Sequence, residues 1–150
     1  MIEAIALTAA LALPAADDRQ WNVDRPSRGA YSSASRRAST IPARWRPFAD
    51  CVSDRESSGS YSARNPSSSA AGRWQFLDNS WREGLAHMVR QRLVRFGLPA
   101  AQGRAVRIYL QATPIHRWPA PYQDAGFAEV VERGGWFHWT GHTCNRLAPR

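Results

Sequence analysis

One helical stripe ends on a carboxylate, and it limits what the chain can build more than any other feature. In residues 43–57, ARWRPFADCVSDRES, the apolar positions are Trp45, Phe48, Ala49 and Val52. Their spacing of i, i+3, i+4 and i+7 marks one face of a helix. Glu56 continues that face, four residues beyond Val52 and eight beyond Phe48. A carboxyl group leaning on apolar surroundings resists ionisation, which is the property a general acid needs near neutral pH. The rival reading is a solvated glutamate at a fraying helix end. Asp54, two residues away, lies about 200° round the helix and faces water.

Ser57-Ser58-Gly59 breaks the helix, and residues 60–72 read as a polar loop with Asn65-Pro66 as its turn signal and room for a short hairpin. A second helix is expected to begin near Ser80, where Ser80-Trp81-Arg82-Glu83 has the form of a capping box. Its apolar face is Leu85, Met88, Val89, Leu93 and Phe96, and Gly97 can end it. Pro99 suits the first turn of a third helix, whose stripe reads Ala101, Ala105, Ile108, Tyr109 and Ala112 before Pro114. A fourth short helix is expected over Ala120–Val131, ending at Gly134-Gly135. The predicted class is mainly α (α+β), a small helical domain with a short hairpin or polar loop after the helix that carries Glu56.

The chain divides into residues 1–43 and 44–150. Ile5–Ala16 resembles the apolar part of a secretory signal, with Ala10-Leu11-Ala12 as the cleavage candidate, although Met1-Ile2-Glu3 supplies no positive charge before it. That run is too short to span a bilayer. The Ser- and Arg-rich stretch after it has no sustained period and reads as a flexible linker. Nearly all periodic pattern falls in residues 44–150.

All 20 basic residues are arginine and the net charge is +8. The arginines are scattered, with no run of five or more, so the charge does not point to nucleic acid. It suits an anionic wall or membrane surface equally well. The absence of lysine reads as the codon bias of a GC-rich genome. Cys51 and Cys144 either remain two thiols or pair; after a signal-like start, pairing is favoured. The bond would close a loop of about 94 residues, worth about 4 to 5 kcal/mol by chain entropy.

His138 and His142 are four apart but lie in HWTGH, not in a helical HExxH, and neither a Gly-rich phosphate loop nor a GxSxG elbow is present. No cofactor or metal is expected. Trp81 heads an apolar helix face and reads as core. Trp136 and Trp139 stand among Gly and His, where lining a groove and sealing the C-terminal end are close alternatives. The cluster Trp74-Gln75-Phe76 reads as the edge of a groove for a polar, ring-shaped ligand.

In order along the chain stand Glu56-Ser57-Ser58-Gly59-Ser60-Tyr61, Gly72-Arg73-Trp74-Gln75-Phe76, Ser80-Trp81, Gly135-Trp136-Phe137-His138-Trp139 and Cys144. In that order and spacing, residues 45–144 resemble the transglycosylase-like domain of actinobacterial resuscitation-promoting factors, within the lysozyme-like superfamily. The resemblance implies a secreted, wall-associated or virion-carried enzyme that cleaves peptidoglycan between N-acetylmuramic acid and N-acetylglucosamine. It makes Glu56 the catalytic acid and places Gln75 and Ser80 against sugar, with Gln111 as a further match; the aromatic residues themselves add Trp74, Trp136 and Trp139 as candidate substrate contacts. The chain departs from the family in three ways. Cys51 stands five residues before Glu56 rather than directly before it, Ser58 replaces a usual glycine, and Thr113–Val131 is longer than the compact family needs.

Most glycosidases use two carboxylates, and Asp78 is the best second candidate here. One acid suffices when the muramyl 6-hydroxyl acts as nucleophile, which yields a 1,6-anhydro product; plain hydrolysis by a phage-carried lysozyme is the alternative. The rival from another class is a non-catalytic wall-binding module. The expected partners are the glycan strands, with a wall endopeptidase as a further candidate, and the chain reads as a monomer.

Overall fold

The structure, a computed structural model, describes residues 32–139 and 143–149. The signal-like segment, the first part of the linker and His142 lie outside the described residues. The class expected from the sequence is observed: five α-helices among the described residues and one two-stranded antiparallel sheet.

The helices are α1 (Ser33–Ser39), α2 (Arg46–Ser57), α3 (Asp78–Arg95), α4 (Ala100–Ala112) and α5 (Ala120–Glu132). Between α2 and α3 lie β1 (Ala70–Ala71) and β2 (Phe76–Leu77), paired with Ala70 opposite Leu77 and Ala71 opposite Phe76. Single 3-10 turns occupy Ala43–Trp45, Ile115–Arg117, Gly135–Trp139 and Thr143–Leu147. Among the described residues no helix is long and apolar enough to cross a membrane.

α5 is the centre of the fold. Nine of its residues are buried, from Tyr122 to Val131, on every side of the helix. This is what a helix enclosed by neighbours requires, since no face needs to be polar. α1 and α3 pack on it, and α4 packs on the outside of α3. Phe48 of α2 stacks on Phe127 of α5 with ring centroids 6.3 Å apart.

α2 follows its stripe. Trp45, Phe48, Ala49 and Val52 are all buried, and Glu56 is half-buried on the last turn. α5 also runs as expected, one residue past Val131. Three expectations are corrected.

The first concerns the domain boundary. Residues 33–39, read as linker, form α1 and bury Ala34, Ser35 and Ala38. Ser32 caps the helix, its hydroxyl accepting from the Ser35 N–H at 3.1 Å. Two alanines in seven residues leave too little apolar period to detect. The helix is held instead from outside: the buried Arg92 donates to the Ala38 carbonyl at 2.6 Å, and Arg37 donates to the Phe96 carbonyl at 2.6 Å.

The second concerns the start of α3. The helix begins at Asp78, so Ser80 is inside it and exposed, and no side chain caps it. β2 leads directly into the helix, and the Asp78 N–H is satisfied by the Ser69 carbonyl at 3.0 Å. Asp78 instead takes the first turn and pairs with Arg82 at i+4, at 2.7 and 2.9 Å.

The third is the inner face of α4, which is Gly103, Val106 and Leu110; Ile108 is 58% exposed. Gly103 allows the close approach to α3, since a Cβ there would lie 2.8 Å from Val94 Cγ2. Apolar periodicity does not register a glycine, so the wrong stripe scored better.

Cys51 and Cys144 are bonded, closing the C-terminal 3-10 turn onto α2 with a sequence separation of 93. Arg55 supports the same contact, donating to Thr143 Oγ1 at 3.3 Å. Replacing both cysteines by alanine should lower the unfolding free energy by about 2 to 4 kcal/mol, measured by urea denaturation. An unchanged midpoint would show that the tail is held by packing alone.

Candidate functional site

The C-terminal turn of α2 sets the position of Glu56. Ser58 ends the helix in the left-handed region at φ 51°, and Gly59 follows at φ 81°. The Ser58 N–H bonds the Asp54 carbonyl at 3.1 Å and the Gly59 N–H bonds the Ser53 carbonyl at 3.2 Å, closing the end as a Schellman-type turn. A serine in this conformation is strained where glycine is not.

The hairpin turn Gly72–Gln75 is fastened to that same turn of helix. Ser57 donates its hydroxyl to the Arg73 carbonyl at 2.8 Å, and Arg73 Nε donates to Ser53 Oγ at 2.8 Å. Ser53 and Ser57 are one helical turn apart, and Glu56 is about 60° round from Ser53. The hairpin therefore docks beside the carboxylate. On its other side the turn rests on α5. Gln123, fully buried, accepts from the Arg73 N–H at 2.9 Å and donates to the carbonyls of Tyr61, Ile115 and Trp118 at 2.9 to 3.1 Å. Gly72, at φ 76°, leaves room for this: a Cβ there would come within 2.3 Å of Gln123 Oε1.

Beneath the hairpin is a polar network that sequence reading missed. Tyr61 donates to Asp124 Oδ2 at 2.7 Å, and Trp74 Nε1 donates to Asp124 Oδ1 at 3.1 Å. Arg73 Nη1 donates to the Tyr61 hydroxyl at 2.7 Å and lies 3.7 Å from Asp124 Oδ1. The Arg73 guanidinium also lies over the Trp74 ring, 4.6 Å from its centroid. Burial pushes the Asp124 carboxyl upward, against the bonds from Tyr61 and Trp74 and the charge of Arg73, which favour its charged form. Burial, reinforced by Asp124, pushes Tyr61 up to about 12. The members are spread from residue 61 to residue 124, so no local motif announces them.

The expected substrate contacts separate. Trp74 is fully buried and stacks on Phe127 with centroids 3.9 Å apart, so it is core and not groove. Trp139 is likewise buried, donating its Nε1 to the Trp74 carbonyl at 2.9 Å, and it too is corrected to core. The hairpin turns its indole inward because α5 offers an aromatic surface there. Trp81, read as core, packs against the core while half-buried: it stacks on Phe76 at 6.2 Å and meets the His138 ring edge-on at 4.3 Å. Trp136 is half-buried and Phe137 is 55% exposed.

Gln75 is half-buried at φ 50°, with its Nε2 donating to the Gly72 carbonyl at 3.0 Å. Ser80 is exposed on the first turn of α3, and Gln111 is half-buried near the end of α4. Asp78 is committed to Arg82 and to the Ile115 N–H at 3.3 Å, so the expected second carboxylate is engaged within the fold.

Comparison with known proteins finds no matching family model, no matching curated relative and no matching solved structure.

The raised Tyr61 value has a definite sign. Its contribution to stability is complete below the unfolded tyrosine value near 10 and is lost as pH rises through about 12. The absorbance difference between wild type and Tyr61→Phe should therefore titrate near the upper value; a transition at the ordinary tyrosine pH would contradict the network. Ser58→Gly should stabilise the protein by up to about 1 kcal/mol in thermal unfolding, and a loss of stability would show that the serine side chain is needed there.

Proposed function

We propose that this chain cleaves the glycosidic bond between N-acetylmuramic acid and N-acetylglucosamine in peptidoglycan, with Glu56 as general acid, in the manner of a lytic transglycosylase. One observation carries the proposal: Glu56 is half-buried on the last turn of α2, beside a hairpin turn fastened to that helix by Ser57 and Arg73. A rigid turn next to a partly desolvated carboxyl is what positions a proton donor over a strand of sugar. The order of short motifs from Glu56 to Cys144 supports the same reading.

Glu56 first donates a proton to the leaving glycosidic oxygen. As the carboxylate it then accepts the proton of the muramyl 6-hydroxyl, whose oxygen closes on the anomeric carbon. The engagement of Asp78 and Asp124 within the fold favours this route over hydrolysis. Asp78 is paired with Arg82, and Asp124 accepts from Tyr61 and Trp74. Gln75 at the hairpin turn and Ser80 on α3 are the polar contacts proposed for the strand, with half-exposed Trp81 as an aromatic surface in place of Trp74. Export to the cell wall, or carriage on a virion, belongs to the same proposal.

Glu56→Gln should reduce release of fragments from purified wall by on the order of 100-fold or more, with the fold intact by circular dichroism. Mass spectra of the wild-type products should show 1,6-anhydro-muramyl ends. Reducing ends, heavier by one water, would replace the transglycosylase by a hydrolase. A protein that sediments with wall and releases nothing would be a binding module.

A further inference from the structure

At the other end of α2 and α3 lies a cavity of about 470 Å³ lined by Arg44, Arg95, Phe96, Glu129, Glu132 and Arg133. The twelve residues of α2 put it about 18 Å along that helix from the Glu56 turn. We propose that this cavity is an oxyanion-binding site, for a small molecule bearing a phosphoryl or carboxylate group. The proposal does not rest on the peptidoglycan reading.

The charge balance is the first argument. Four arginines, the three lining ones and Arg92 behind them, face two glutamates, a surplus of two positive charges. Glu129 is 1% exposed and its one carboxylate takes Arg92 at 3.3 Å, Arg133 at 2.8 Å and Arg95. Glu132 is taken by Arg92. Both acids are thus neutralised from within.

Preorganisation is the second argument. Glu129 holds Arg95 and Arg133 in place by one edge of each guanidinium, while each remains about half exposed. Arg133 is further fixed by Gln91 Oε1 at 2.8 Å. A guanidinium already oriented loses little freedom when it takes a second anion, and its planar fork suits phosphate and carboxylate alike. Arg44 is exposed on the cavity wall and has no ion pair among the described residues. The cavity is larger than a single phosphate needs and falls in the range of small-molecule sites, with Phe96 as its apolar wall.

The test is thermal unfolding of the full chain in inorganic phosphate, in succinate and in chloride at matched ionic strength. Phosphate or succinate should raise the midpoint in a saturable way and chloride should not. A larger effect of phosphate assigns a phosphoryl ligand, and a larger effect of succinate assigns a carboxylate. Arg44→Ala, an exposed change that should leave the unliganded midpoint in place, should weaken the apparent affinity by about tenfold, the loss of one charge-assisted contact. Equal midpoints in all three salts, or a shift untouched by Arg44→Ala, would overturn the proposal and leave the cluster as a staple of the fold alone.

Discussion

The contact on which the candidate site depends is the stack of Trp74 on Phe127, 3.9 Å between centroids and sealed from water. It fixes the hairpin turn against the central helix. Through the same turn Arg73 and Ser57 tie the hairpin to the end of α2, and the Trp74 carbonyl receives Trp139 from the C-terminal segment. Three parts of the chain meet at one indole. Burying so large a ring contributes on the order of 2 to 3 kcal/mol by itself. The polar edge of the ring is not wasted, since Asp124 accepts its N–H.

The second constraint is Arg92, a charged side chain 1% exposed. Burying a guanidinium is costly unless every donor finds a partner. Here Arg92 bonds Glu129 and Glu132 on α5 and the Ala38 carbonyl at the end of α1. The geometry joins three helices through one group, so its value lies in specifying how they meet. Removing Glu129 would leave Arg92 and two further arginines facing a gap. Burial opposes the ionisation of Glu129, and the bonds from Arg133, Arg95 and Arg92 outweigh it, holding its carboxyl below the usual range.

Particular residues show what sequence reading can and cannot reach. The stripe Trp45, Phe48, Ala49 and Val52 was legible because four apolar side chains at helical spacing make a period by themselves. The Ala120–Val131 helix was legible together with its end at Gly134-Gly135, but not its central place. The inner face of α4 was not legible, because its closest approach is made by Gly103, where the missing side chain is the signal. α1 was lost because its hold on the body comes from Arg92, more than fifty residues away. Trp74 was misplaced for a related reason: periodicity assigns sides to a helix, but it says nothing about which way a four-residue turn directs its side chains.

The same distinction applies to the chemistry. A second catalytic carboxylate cannot be recognised by its position in the sequence, because what matters is which partners it already has. Asp78 stands two residues after the Gln75-Phe76 pair and looks available on paper. In the fold it closes a bidentate pair with Arg82 and accepts the Ile115 N–H, so freeing it for a water molecule would break three bonds and loosen the first turn of α3. Asp124 is still more committed, lying under the hairpin with Tyr61, Trp74 and Arg73. If the chain cleaves sugar as proposed, a hydrolase drawing its second acid from Asp78 or Asp124 would have to disrupt these bonds. A reaction in which the substrate's own hydroxyl replaces the second acid asks nothing of either, and it leaves the hairpin rigid beside Glu56 throughout.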